Sequence, residues 1–351
     1  LVNAAKEGVR EPQALAFSSF PYKGFVSTYS SNALVTDSAA AGTALATGTK
    51  TYNGAIGKDA DKNDVYSVAI AAKKAGAGAA VMSTVAINHA TPAAFYAHAE
   101  SRNQYDVIGL QLPESGIDFA AASGFLTNKK NPDVTREILI ENAREKGMNV
   151  LIGAESLKDA AASPKTLFLA SGEQGEMPYA IEGRDCGLAD MVKAGIANMT
   201  KYHKKGFFLM VEGALIDHAC HSRDAGAMVN EVIDFSKSVD CVLRFYDRHP
   251  DETLIVVTAD HETGGMMLGA GQYEMNPSRL SAQKYDQGYI NNAFRKLSEN
   301  GNVPTWEDVQ GFFKEYLGIG EAIRLRPDQM ASLKAMYDRQ FGQKTDDKAV
   351  T

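Results

Sequence analysis

Short apolar runs recur along this chain, each followed by a segment of helical character. Ala79 to Val85, Val150 to Gly153, Lys165 to Ala170, Gly206 to Gly213 and Thr253 to Asp260 all have the length of strands. The runs at 79–85, 206–213 and 253–260 have the profile of buried parallel strands. Helical stretches stand between them: Val65 to Ala75, Thr91 to about Glu100, Thr135 to Lys146, Leu188 to Tyr202 and Ala225 to Arg248. Strands alternating with helices predict an α/β fold with a mainly parallel sheet. Ligands in such folds gather at the carboxyl ends of the strands. Gly24 to Tyr29 alternates like a further strand, residues 48–64 read as a loop, and 105–125 show no clear pattern.

Past Gly265 the character changes. Residues 266–351 are mostly polar and helical, with no strong buried strand. Thr305 and Pro327 look like helix starts, and Gln343 to Thr351 looks frayed. This predicts an α/β domain over 1–265 and a mostly helical insertion or C-terminal extension over 266–351. A length of 351 residues suits one large domain or two ordinary ones. The net charge of −7 argues against nucleic acid as a partner. No apolar run reaches membrane-spanning length. The start, Leu1-Val2-Asn3-Ala4, has no initiator Met and no signal-peptide pattern, and reads as the inside of a larger or processed protein. Cys186, Cys220 and Cys241 cannot all pair internally and form no CxxC pattern, which leaves the compartment open.

Several polar clusters interrupt this framework. Thr36-Asp37-Ser38 leads into a run of small, helix-prone residues, Ala39 to Ala46. The free N–H groups and dipole at a helix start favour an anion, and a serine there could attack a phosphoryl centre. An ordinary N-cap explains the same residues. Glu212, Asp217, His218 and His221 follow a core strand. Asp217 and His221 are one helical turn apart, the makings of half a zinc site, and the hard oxygen of Glu212 suits Mg²⁺. Asp260-His261 closes another apolar run. Neighbouring strand residues face opposite ways, so both can hold one metal only if the chain turns there, as Gly264-Gly265 suggests. Finally, His89 could lie near a metal, and Thr91 could ligate Mg²⁺ or simply cap the helix opened by Pro92. Arg102 could clamp phosphate oxygens or be a solvated surface side chain.

Together these segments resemble the alkaline phosphatase family. Val35-Thr36-Asp37-Ser38-Ala39-Ala40 is similar to its nucleophile motif. Thr91-Pro92-Ala93-Ala94 with Arg102 is similar to its Mg²⁺ and phosphate-clamp segment. Phe207 to Gly213 with Asp217-His218 and His221, and Thr258-Ala259-Asp260-His261, are similar to its two later metal motifs. The four lie in the family's order over residues 35–261. The resemblance implies a three-layer α/β/α sandwich and hydrolysis of small-molecule phosphate monoesters through a phosphoserine at Ser38. It implies two Zn²⁺, one with Asp217 and His221 and one with Asp260 and His261, one of the two ions also binding and activating Ser38. It also implies one Mg²⁺ with Thr91 and Glu212. Arg102, paired with Asp37, would bind phosphate, with His218 at the phosphate and His89 near the third metal. Family members carry either Asp and Lys or two histidines at those last two positions, and this chain has the histidines. Family habit adds a homodimer and a periplasmic or secreted location.

Two departures stand out. The family's Asp-Gly-Met-Gly-type segment, with a bridging Asp, has no counterpart ahead of Ser38, and no His follows His261 to complete the first zinc site. Both ends of the catalytic domain are therefore expected to lie outside this chain. The alternatives are a truncated inactive fragment, or a phosphodiesterase or sulfatase of the same superfamily, against which Arg102, Thr91 and Glu212 argue.

Overall fold

The structure, a computed structural model, describes residues 14–171, 177–267 and 277–342. Strands β1 (Gly78–Ser83), β2 (Phe119–Ala122), β3 (Asn149–Ile152), β4 (Thr166–Leu169) and β5 (Phe207–Glu212) form one sheet in the order β3-β4-β2-β1-β5. Every pairing is parallel. Side chains alternate between its two faces. Ala79 and Val81 enter one core with Ala120, Leu167 and Leu169, whereas Ala80 and Met82 enter another with Phe119 and Phe168. Burial on both faces is why these runs carry no polar alternation. The first core is closed by α1 (Ser38–Thr47), α2 (Val68–Lys74), α3 (Ala90–Ala93), α4 (Tyr105–Gln111) and α5 (Arg136–Glu145). The second is closed by α6 (Leu188–Tyr202), α7 (Leu215–His221) and α8 (Ala225–Tyr246). The result is a three-layer α/β/α arrangement around a parallel sheet, as the sequence predicts.

Beyond α8, the described residues 277–342 hold α9 (Gln287–Lys296), α10 (Trp306–Leu317) and α11 (Pro327–Tyr337), with no strand beyond an isolated bridge of Ile319 to Ile323. Thr305 caps α10 in a reciprocal arrangement with Asp308. The three cysteines are all free.

Four expectations need correction. Residues 24–29 form no strand among the described residues, and Phe25 and Val26 lie in solvent. Thr253 to Asp260 likewise forms no ladder among the described residues, and Leu254 and Val256 are 88% and 75% exposed. Apolar content favours a strand, but a strand exists only where its backbone groups find a neighbour. The helix expected from Thr91 to Glu100 is a single turn, and His89, not Thr91, precedes it as the capping residue. The patternless 105–125 stretch conceals α4 and the central strand β2, whose Phe-Ala-Ala-Ala sequence carries little β propensity. The C-terminal tail expected to fray, Gln343 to Thr351, lies outside the described residues.

Candidate active site

The carboxyl ends of β1 and β5 and the N-terminus of α1 meet at one place. Asp37 caps α1: its Oδ1 accepts from the N–H groups of Ala40 and Gly54, each at 3.0 Å. Its Oδ2 accepts from Arg102 Nη1 at 3.1 Å. Arg102 N–H in turn donates to the Gly54 carbonyl at 2.7 Å. Asn53 steadies the approach to the helix. Its Oδ1 accepts from Asp37 N–H at 3.2 Å, and its Nδ2 donates to the Val35 carbonyl at 2.9 Å. The capping reading of Asp37 and the pairing with Arg102 therefore hold together, one on each carboxylate oxygen. Ser38 is the first residue of α1 and is buried. The small residues after it let α1 approach α3. A Cβ on Gly42 would come within 3.3 Å of Thr91 Cα and 3.4 Å of Ala94 Cβ.

Ser83 and Glu212 are register partners on β1 and β5, so their side chains leave the same face of the sheet, the face that α1 and α3 cover. Ser83 Oγ donates to Glu212 Oε2 at 2.5 Å, and Thr91 also hydrogen-bonds the Glu212 carboxyl. Burial pushes the Glu212 carboxyl up to about 7, and the nearby Asp260 and Asp217 push the same way, while the two hydroxyls oppose them. Thr91 thus works through its hydroxyl rather than as a cap. His89 and His218 meet edge to face, with ring centroids 5.5 Å apart. Burial, with Arg102 and His218 adding to it, lowers His89 to about 3, and its Nδ1 is buried without a partner.

Asp217 and His221 lie one turn apart on α7, with Oδ2 3.4 Å from Nε2. Asp260 and His261 do turn to one side, with Oδ2 3.2 Å from Nε2, and the chain reverses beyond them at Gly264 and Gly265 with φ of +84° and +71°. His261 Nε2 is also 3.0 Å from Ser38 Oγ. Its Nδ1 faces the Glu262 carbonyl at 3.1 Å. A carbonyl only accepts, so Nδ1 carries the hydrogen and Nε2 presents a lone pair. That lone pair faces a carboxylate oxygen of Asp260, an arrangement that calls for a cation or an added proton between them.

The donor types suit metals: neutral imidazoles and carboxylates for zinc, hydroxyl and carboxylate oxygens for magnesium. The count is short. Among the described residues no three His, Cys, Asp or Glu side chains come close enough to hold one ion, and structural or catalytic zinc takes three or four protein ligands. The structure brings Ser38, Asp37, Arg102, His261, Asp260, Asp217, His221, Glu212, Thr91, His89 and His218 to one region as pairs. Sequence reasoning passed over Ser83, Asn53 and Thr263. Thr263 Oγ1 donates to Asp217 Oδ1 at 2.5 Å and lies 3.1 Å from His261 Nδ1. Ser83 could have been found only from the β1–β5 register, and Thr263 only from its place two residues after His261.

The alkaline phosphatase family model matches residues 1–134 and 127–309. Alkaline phosphatase 4 of Bacillus subtilis is 38% identical over 247 residues, which cover 67% of this chain and 51% of that protein. The chain spans about half the length of the curated relatives it matches. Among solved structures, the cold-active alkaline phosphatase of a psychrophilic Shewanella superposes with a TM-score of 0.80 at 30% identity, covering 95% of this chain and 78% of that one. The TAB5 alkaline phosphatase, solved as a His-to-Glu variant with Mg bound in its M3 site, gives 0.65 at 32% identity, covering 73% and 72%. No described helix is long and apolar enough to cross a membrane. Fold, ordered motifs and these matches lead to one conclusion: the chain belongs to the alkaline phosphatase family.

Proposed function

We propose that this chain hydrolyses phosphate monoesters through a phosphoserine at Ser38. One observation carries the reading: Ser38 Oγ stands at the N-terminus of α1, 3.0 Å from His261 Nε2 and one residue from the Asp37–Arg102 pair. Arg102 engages Asp37 through one nitrogen and keeps further N–H groups for phosphate oxygens. The dipole of α1 adds partial positive charge at the same place. The Ser38 Oγ–P bond forms as the ester P–O bond breaks in line, and the proton of Ser38 ends on the leaving alcohol. Water then attacks phosphorus, the P–Oγ bond breaks, and a proton from that water restores the hydroxyl as phosphate leaves.

Asp217 with His221 would hold one Zn²⁺, and Asp260 with His261 and Ser38 the second. Thr91 with Glu212 would hold Mg²⁺, with His89 beside it and His218 toward the phosphate. The bound ions would lower the pKa of the nucleophile and offset the charge of the transferring group. The magnesium bound to the TAB5 neighbour supports that part of the assignment. By the same reading residues 1–265 belong to the catalytic domain and 266–351 to a helical insertion or extension. The protein works as a homodimer in the periplasm or secreted.

A second reading rests on the donor count: pairs where an ion wants three or four ligands suit a metal-poor, inactive piece. Hydrolysis of p-nitrophenyl phosphate in Zn²⁺ and Mg²⁺, with acid-quenched ³²P labelling, separates the two. The unaltered chain is expected to turn over and to carry label, and Ser38→Ala to lose about 10⁴-fold in rate and all label. Turnover undiminished in Ser38→Ala would sink the nucleophile assignment. An unaltered chain with neither zinc nor turnover would establish the second reading.

A further inference from the structure

Thr263 touches both proposed zinc-binding pairs. Its hydroxyl donates to Asp217 Oδ1 at 2.5 Å, and its oxygen lies 3.1 Å from His261 Nδ1, which carries the hydrogen. One hydroxyl can do both, since it holds one hydrogen to give and two lone pairs to receive. The result is a continuous path from Ser38 Oγ to His261 Nε2, across the ring to Nδ1–H, on to Thr263 Oγ1 and so to Asp217. It joins α7 to the turn after Asp260, two segments separated by 46 residues in the chain.

A second contact holds the same segments together. Gly264 has φ of +84°, and a Cβ there would lie 2.2 Å from the Cys220 carbonyl oxygen and 2.9 Å from its carbon. These are backbone atoms of α7 and cannot swing aside, so the turn is pressed against the helix that carries Asp217 and His221. Thr263 thus sits in a segment that is already closely docked, with its hydroxyl between the two pairs.

We infer that Thr263 is a positioning residue, a strap that fixes Asp217 and His261 relative to each other and so sets the spacing of the two proposed zinc sites. The inference rests on the metal reading of those residues. Without the strap, Asp217 Oδ1 loses a donor that orients it, and His261 Nδ1–H keeps only the Glu262 carbonyl.

The test uses the full chain with Thr263→Val, which keeps the shape and removes the hydroxyl, and Thr263→Ser, which keeps the hydroxyl. Zinc affinity measured by equilibrium dialysis is expected to fall about 10- to 100-fold in Thr263→Val and to return to within about threefold in Thr263→Ser. Equal affinity in Thr263→Val and the unaltered chain would overturn the inference, as would a loss that Thr263→Ser fails to rescue. A double-mutant cycle of Thr263→Val with Asp217→Ala, which removes the acceptor, read by thermal unfolding of the metal-free chain, is expected to be non-additive. Additivity would overturn the strap even in a chain that binds no zinc. Absence of zinc from the unaltered chain would sink the metal reading itself, and the metal-free cycle then decides the strap separately.

Discussion

On one side of Ser38, both carboxylate oxygens of Asp37 are met by donors of the protein. Asp37 gives one oxygen to Ala40 and Gly54 and the other to Arg102, and Arg102 is tied back through its own N–H to Gly54. On the other side, Asp260 and Asp217 add to the burial that raises the Glu212 carboxyl, and each of those two lies beside an imidazole nitrogen, His261 Nε2 at 3.2 Å and His221 Nε2 at 3.4 Å. The first side reads as a preformed anion cradle, complete from residues 32–54 and Arg102. The second concentrates three carboxylates at partly exposed positions around Glu212, a grouping that a cation or protons would stabilise. A phosphate transferred between them would have its charge met by the cradle and by whatever cations the acidic side holds.

The largest expected effect comes from taking the cations away. Chelation with EDTA is expected to cut p-nitrophenyl phosphate turnover by at least about 10³-fold, with recovery on adding Zn²⁺ and Mg²⁺. Metal-free chain should also melt lower than the same chain in excess zinc, since an ion that binds only the folded state stabilises it. Turnover that persists at full rate after chelation would break the contrast, because the acidic side would then work without cations.

The cradle is tested next. Arg102→Ala removes the charge-assisted donor that the proposed function assigns to phosphate, and kcat/KM should fall about 10²-fold. Thermal stability should move by less than about 1 kcal/mol, because the pair with Asp37 is partly exposed and solvent-screened. A variant that loses fold and activity together would make Arg102 structural rather than part of the cradle.

How far the sequence foretells these two sides depends on the range of the contacts involved. Asp217 and His221 are legible because four residues make one helical turn, and Asp37 and Ser38 because polar residues before a small-residue run mark a helix start. The β1 run is legible because every residue in it is buried, and β5 because its apolar side chains pack on both cores while staying half-buried at the sheet edge. Ser83 beneath Glu212 is not, since nothing local reports which residues two strands 129 positions apart place side by side. Thr263 is hidden for the same reason, its partner Asp217 lying on another element. Thr253 to Asp260 is misread in the opposite direction: its composition is that of a strand, while pairing depends on a neighbour that composition does not contain. Gly42 belongs between these cases, for the sequence shows a small residue but not that α3 is what approaches it.

Glu212 turns the contrast into a prediction of opposite signs. Half-buried, with two other carboxylates nearby, it disfavours its own ionised form, and hydroxyls from Ser83 and Thr91 compensate only in part. At pH 9, Glu212→Gln is therefore expected to stabilise the metal-free chain by about 1–3 kcal/mol, as urea unfolding would measure. The same change should weaken Mg²⁺ binding, because a carboxamide oxygen is a poorer ligand for a hard cation. If Glu212→Gln destabilised the metal-free chain by a similar amount, the acidic side would be as self-contained as the cradle.

The smallest effect comes from a carboxyl pair far from Ser38 in the chain, where a proton does what cations are proposed to do at the acidic side. Glu182 hydrogen-bonds Asp286, the N-cap of α9, and burial together with that neighbour pushes Glu182 up to about 7. Asp286 accepts from the Gly288 and Tyr289 N–H groups at the N-terminus of the helix, and Glu182 beside it is the group whose pKa is raised. The folded-state pKa lies above the unfolded value near 4.5, so the folded chain binds the extra proton across that interval. Stability from this pair is then fully present below about pH 4.5, falls as pH rises toward about 7, and is flat above it. Glu182→Gln keeps a donor for Asp286 without an ionisable proton, and should remove that slope. Glu182 is half-buried, so after solvent screening the gain at pH 8 is about 1 kcal/mol, with little change at pH 4.5. Thermal unfolding of both chains across pH 4.5 to 8 reads the difference as about 2–4 °C at the upper end. Parallel curves would mean that the carboxylates separate instead of sharing a proton. Convergence at low pH, together with indifference to added zinc, would set this pair apart from Glu212 as a like-charge contact that needs no ion.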